Sequence, residues 1–194
     1  MEPGGEKPIA RVQAATVRVR ERFVESTYGL EALQRYRAEM SPTLRELFAS
    51  KKDPPGGWVP FPLFIEACVL ADRMFGKGDL SLVWETGRFA ATHSIGVWKS
   101  LFMRHVTPSI VVGITGGLWS HHYQGGKLTS RATGHQALAF SILDFPTPHR
   151  AHCIAIAGWM TGSLELGPRK NINVRELGCR AAGGASCDFQ VSWT

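Results

Sequence analysis

Apolar and polar positions along the chain follow two periods, and the change from one to the other divides it. Up to about residue 124 the spacing is helical. Between Arg20 and Glu39, the positions Phe23, Val24, Leu30, Leu33 and Tyr36 stand among charges, which predicts two helical pieces broken near Tyr28-Gly29. Ser41-Pro42 predicts a helix start, because serine caps orphan amides and proline suits the first turn. Helical spacing returns over 62–75, with Phe64, Cys68 and Ala71 on one face, and stops at Gly76-Lys-Gly78. Asp79 is the expected N-cap of a helix over 80–93. A further helix is expected over 95–105, and Thr107-Pro108 opens another running toward Trp119 and Tyr123. The β-branched residues of Ile9 to Val19 lean toward strand.

After Gln124-Gly125-Gly126 the period drops to two. Residues 127–133 and 136–143 read as one hairpin, with alternation clearest at Leu138, Phe140 and Ile142. Residues 172–179 and 187–193 read as a second, turning at Gly183-Gly184, and a helix over 149–166 separates the two. The expected fold is α+β, a helical N-terminal half packed on a mostly antiparallel β-sheet. Residues 1–8 are expected to be a disordered lead, and 9–194 one domain made of an N-terminal extension (9–57) and a core (58–194).

A chain of 194 residues that is 44% hydrophobic buries a real core. No apolar run approaches the roughly eighteen residues that a bilayer span requires, so membrane insertion is not expected. The net charge of +6 is spread along the chain without a recognition motif, so nucleic-acid binding is not expected either. The opening Met1-Glu-Pro-Gly-Gly-Glu-Lys is polar, and no apolar stretch follows it, which makes a reducing cytoplasmic setting the expectation.

That leaves the cysteines as the candidate chemistry. Pairing within the last hairpin brings Cys179 close to Cys187, and Glu176 can fold its carboxylate back to the same place. Cys153, near the head of the preceding helix, can supply a fourth donor. Thiolates with a carboxylate suit tetrahedral zinc, and a site filled by four protein donors is structural rather than catalytic. Buried free thiols, and in an oxidising compartment a Cys179–Cys187 disulfide, remain alternatives.

The spacing Cys153, Glu176, Cys179, Cys187 resembles the zinc-binding pattern of the aromatic-sensing domains of bacterial phenol- and xylene-responsive activators, within the vinyl-4-reductase group. The wider frame, Cys153-x4-Gly158-Trp159-x2-Gly162 with Cys179-x7-Cys187-x-Phe189-x3-Trp193, resembles a myxobacterial paralogous family of unknown function. These resemblances imply a vinyl-4-reductase-like domain, akin to nitric-oxide-signalling and Golgi-transport ligand-binding domains. They imply one structural zinc on Cys153, Glu176, Cys179 and Cys187, and a homodimer.

The candidate pocket residues are Trp98, Phe102, His105, Trp119, Tyr123 and Phe140: aromatic walls with His105 or Tyr123 as the placed polar group. The histidine and tryptophan that hold phenol in the activators are not both placed here. The Tyr-x-Ser-x-Arg element of the related nitric-oxide sensors is not found, so neither phenol nor haem is carried over. No nucleotide-binding fingerprint, nucleophile elbow or carboxylate pair points to an enzyme. The expected function is a non-catalytic sensor of a small hydrophobic or aromatic ligand, reporting to a signalling partner protein. The alternative is a homodimeric interaction module with no small ligand, and a closed apolar cavity discriminates the two.

Overall fold

The structure, a computed structural model, describes residues 9–50, 52–94 and 107–194. A short strand β1 (Arg11–Gln13) runs straight into helix α1 (Ala14–Ala38). The strand expected over 9–19 is thus corrected: Val17, Arg20, Phe23 and Val24 are buried at helical spacing, and burial of that face decides over β-propensity. Gly29 breaks α1 at φ 87°, a conformation that glycine adopts without a Cβ penalty. Helix α2 (Pro42–Ala49) starts at the predicted signal, with Ser41 Oγ accepting the Leu44 N–H at 3.3 Å. Strand β2 (Trp58–Pro60), helix α3 (Phe61–Phe75) and helix α4 (Ser81–Ser94) follow.

Asp72, on α3 and 1% exposed, accepts the N–H groups of Leu80 and Leu82 at 2.9 and 3.0 Å, while the expected cap Asp79 accepts that of Ser81 at 2.9 Å. The start of α4 is therefore held by a buried carboxylate from the neighbouring helix. The helix expected over 95–105 and the lead over 1–8 lie outside the described residues, as do Trp98, Phe102 and His105.

Helix α5 (Pro108–His122) opens at Thr107, whose hydroxyl accepts the Ile110 N–H at 3.4 Å. It ends in strand β3 (Tyr123–Gln124), and β4 (Lys127–Gly134), β5 (Ala137–Leu143), helix α6 (Arg150–Glu165), β6 (Asn173–Gly178) and β7 (Cys187–Ser192) complete the chain. The two expected hairpins join through β5 and β7 into one antiparallel sheet of order β4-β5-β7-β6, with Phe140 opposite Phe189 and Ile142 opposite Cys187. Alternation turns Leu138, Phe140 and Ile142 of β5 inward together with Cys187, Phe189 and Val191 of β7. A second sheet, β2-β1-β3, ties the N-terminus to both α3 and α5; its strands are too short to alternate legibly.

Helices α4 and α6 touch backbone to backbone. A Cβ on Gly87 would stand 2.1 Å from Ala155 O, and one on Gly158 2.0 Å from Trp84 O. This contact fixes α6, which carries two successive residues of interest, His152 and Cys153. No helix of the described residues is long and apolar enough to cross a membrane.

Candidate functional site

Two buried clusters meet on α6. The first is the one the cysteine spacing pointed to. Cys153 enters from the first turn of α6, Cys179 from the residue after β6, and Cys187 from the first residue of β7, and their sulfurs all lie within 4.8 Å of one another. Cys153 Sγ and Cys179 Sγ are 3.6 Å apart, and all three cysteines are buried and unbridged. The small-residue turn after Cys179 packs its backbone onto that residue, since Ala182 and Gly184 both donate N–H groups to Cys179 O. The Arg180 N–H points at Cys187 Sγ at 3.4 Å.

The hydrogen bond between Cys153 and Cys187 pushes the Cys187 thiol down to about 6 and pushes Cys153 up. Glu176 stands beside the trio, but its Oε2 is paired with Arg150 Nη1, and its Oε1 is buried without a partner. Three sulfurs at this spacing can ligate a soft cation.

The second cluster was not legible as a site. His152, 2% exposed, sits among the rings of Phe61, Phe64, Trp119, Tyr123 and Phe145, with centroids 4.9–5.9 Å away. Its Nε2 is buried and makes no hydrogen bond. Burial, with smaller contributions from Arg20 and His149, pushes the imidazole down to about 3, so it is neutral at physiological pH.

Arg20, also 2% exposed, reaches the same region from α1: its Cζ lies 4.4 Å from the Phe64 centroid, its Nε donates to Cys68 Sγ at 3.4 Å, and its Nη1 donates to Thr16 O. Desolvation raises the Cys68 thiol despite the guanidinium, which leaves that sulfur uncharged. The sequence did carry one signal. Arg20 stands three residues after Val17 and three and four before Phe23 and Val24, on the face of α1 that turns inward.

Of the pocket residues expected from the sequence, Trp119 and Tyr123 come together, stacked at 4.4 Å, and both contact His152. Phe140 lies on β5 opposite Phe189 and, among the described residues, makes no ring contact with that pair. His122 turns to Thr16, with Nδ1 3.2 Å from Oγ1.

Comparison with known proteins locates this architecture. An H-NOX protein from S. oneidensis in the Fe(II)NO state superposes with a TM-score of 0.64 at 14% identity, covering 94% of this chain and 99% of the other. An unliganded Fe(II) H-NOX protein from K. algicida gives 0.66 at 9% identity, covering 94% and 96%. The fold is that of an H-NOX domain. A solution structure of an H-NOX domain from Shewanella oneidensis in the Fe(II)CO state agrees, at 0.62 and 16% identity over 94% and 98%. No family model matches the chain, and no curated protein matches it, so the myxobacterial resemblance gains no support by sequence.

The H-NOX likeness corrects the expected cofactor. The similar structures are described as Fe(II) proteins, and one as a study of heme distortion, so the metal associated with this fold among them is haem iron and the structural zinc is withdrawn. Gathering cysteines between a helix and a hairpin does not specify zinc, because buried free thiols gather in the same way, and Glu176 already spends one oxygen on Arg150.

Proposed function

We propose that this chain is a non-catalytic sensor domain that binds a small molecule and passes its occupancy to a signalling partner. The observation that carries the reading is the extent of the likeness: the same fold, over 94% of this chain and 99% of its neighbour, houses a protein described with a small ligand, NO, on its Fe(II). Vinyl-4-reductase kinship is the finer form of this reading, supported by the cysteine spacing. The ligand-bearing neighbours favour a sensor over a homodimeric scaffold that holds no small ligand.

Neither His152, His93 nor His149 is placed to hold a haem. The buried imidazole, His152, is ringed by five aromatic side chains and presents no open face to a macrocycle. His93 stacks on Phe89, and His149 accepts the Ala151 N–H at the start of α6. We infer a smaller ligand, held where the helical half meets the β1–β3 end of the molecule. The cysteine trio, buried and unbridged, packs the C-terminal hairpin onto α6.

The test is a thermal-melt panel on the full chain with small neutral aromatic compounds, small acids and hemin. The expected result is saturable stabilisation by a small compound, following mass action, with no stoichiometric Soret-absorbing complex formed by hemin. A one-to-one hemin complex, or a panel without effect, contradicts the proposal.

A further inference from the structure

Arg20 poses a problem of charge. A buried guanidinium is costly unless an anion compensates it. Among the described residues no carboxylate lies within ion-pair distance of Arg20, whereas Arg18, Arg37, Arg73, Arg88 and Arg150 are each paired with one. The sulfur it touches, Cys68, is held in its neutral form by burial.

The second unanswered group packs against the same ring. Phe64 has the Arg20 Cζ 4.4 Å from its centroid and the His152 ring at 5.9 Å, and His152 Nε2 is wholly buried with no partner. An uncompensated cation and an unused imidazole nitrogen, sharing one aromatic wall, ask for the same thing: a compact anion with planar oxygens. Of the rings around His152, Trp119 and Tyr123 are the least deeply buried, at 4% and 8% exposed.

We propose that Arg20 and His152, walled by Phe61, Phe64, Trp119 and Tyr123, form the recognition site for a small monocarboxylate. The guanidinium takes the carboxylate oxygens in its planar fork, and the His152 Nε2–H donates to one of them. This assignment rests on the sensor reading and gives it a ligand class. The carboxylate comes either from a free one-carbon acid or from an aromatic acid whose ring joins the aromatic wall.

Calorimetric titration and melting of the full chain with formate and with benzoate, each against chloride at equal ionic strength, separate the sources. Saturable binding is expected for at least one of them. Benzoate binding at least about tenfold tighter identifies an aromatic acid, and equal or tighter binding of formate a free small acid, where a factor of ten corresponds to about 1.4 kcal/mol. Arg20→Met should lose at least about tenfold in affinity while melting no lower than the wild type, because it removes a buried uncompensated cation. Should that variant not fold, His152→Phe carries the test and should lose severalfold with Arg20 intact. Failure of both carboxylates to bind the wild type overturns the assignment, as does wild-type affinity in whichever variant folds. If neutral aromatic compounds bind where carboxylates do not, this assignment falls and the sensor reading stands; if nothing binds, both fall.

Discussion

Glycine does opposite things in the α4–α6 pair and in α5. In the pair, Gly87, Gly158 and Gly162 let two backbones touch, and a Cβ at any of the three would meet a carbonyl oxygen at 2.0–2.5 Å. In α5, a Cβ at Gly113, Gly116 or Gly117 would meet nothing within 4 Å among the described residues, and Ile110 and Ile114 on the same helix are 38% and 45% exposed. The first glycines are forced by packing, while the second only weaken their helix. The difference has a functional side. Helix α6, which presents His152 and Cys153, is clamped, whereas the helix that leads to Trp119 and Tyr123 has no such backbone-to-backbone contact at its glycines among the described residues.

The strongest way to break this contrast is Gly158→Ala. Its new methyl would overlap the Trp84 carbonyl, a backbone atom that cannot swing away, and the expected cost is about 3 kcal/mol or more in urea unfolding. Next comes Asp72→Ala, which strips the start of α4 of a buried acceptor for two N–H groups. A loss of about 2–3 kcal/mol is expected by the same measurement.

Acidification probes the clamped side by another route. In the unfolded chain His152 takes a proton near about 6.5, whereas in the folded chain it is pushed down to about 3. The unfolded state therefore binds a proton that the native state refuses. Stability is full above about 6.5 and falls with pH toward about 3, by up to about 1.4 kcal/mol per pH unit. Unfolding at pH 7 and pH 5 should show this increment in the wild type and lack it in His152→Phe. The smallest effect has the opposite sign: Gly113→Ala should raise stability by up to about 0.8 kcal/mol, since the methyl enters open space in a helix interior. A destabilising result would place an unseen partner on that face.

Much of this architecture was legible because its signals are local. Ser41-Pro42 and Thr107-Pro108 announce helix starts through groups one turn apart, and the hairpins follow from alternation flanked by glycines. The cysteine trio was legible because its members sit on adjoining elements whose pairing the turn dictates. What stayed hidden depends on distance along the chain. Strands β2 and β3 are three and two residues long and exist only because β1 lies between them. The buried acceptor at the start of α4 comes from the preceding helix. Arg20, Cys68 and His152 belong to three separated helices, and nothing near any of them in sequence names the other two. Glu176 was read with its cysteines but without Arg150, the partner that α6 swings against it.

The central claim is that this H-NOX fold holds a small ligand in its aromatic interior, and Trp119, stacked on Tyr123 and 5.9 Å from His152, reports directly on that interior. The decisive measurement is the fluorescence of a chain that keeps Trp119 and carries phenylalanine at the other tryptophans, titrated with the compounds of the melt panel. The account predicts a saturable change in Trp119 emission that tracks the gain in melting temperature compound by compound. Stabilisation with no change at Trp119, or no saturable response to any compound, would contradict it.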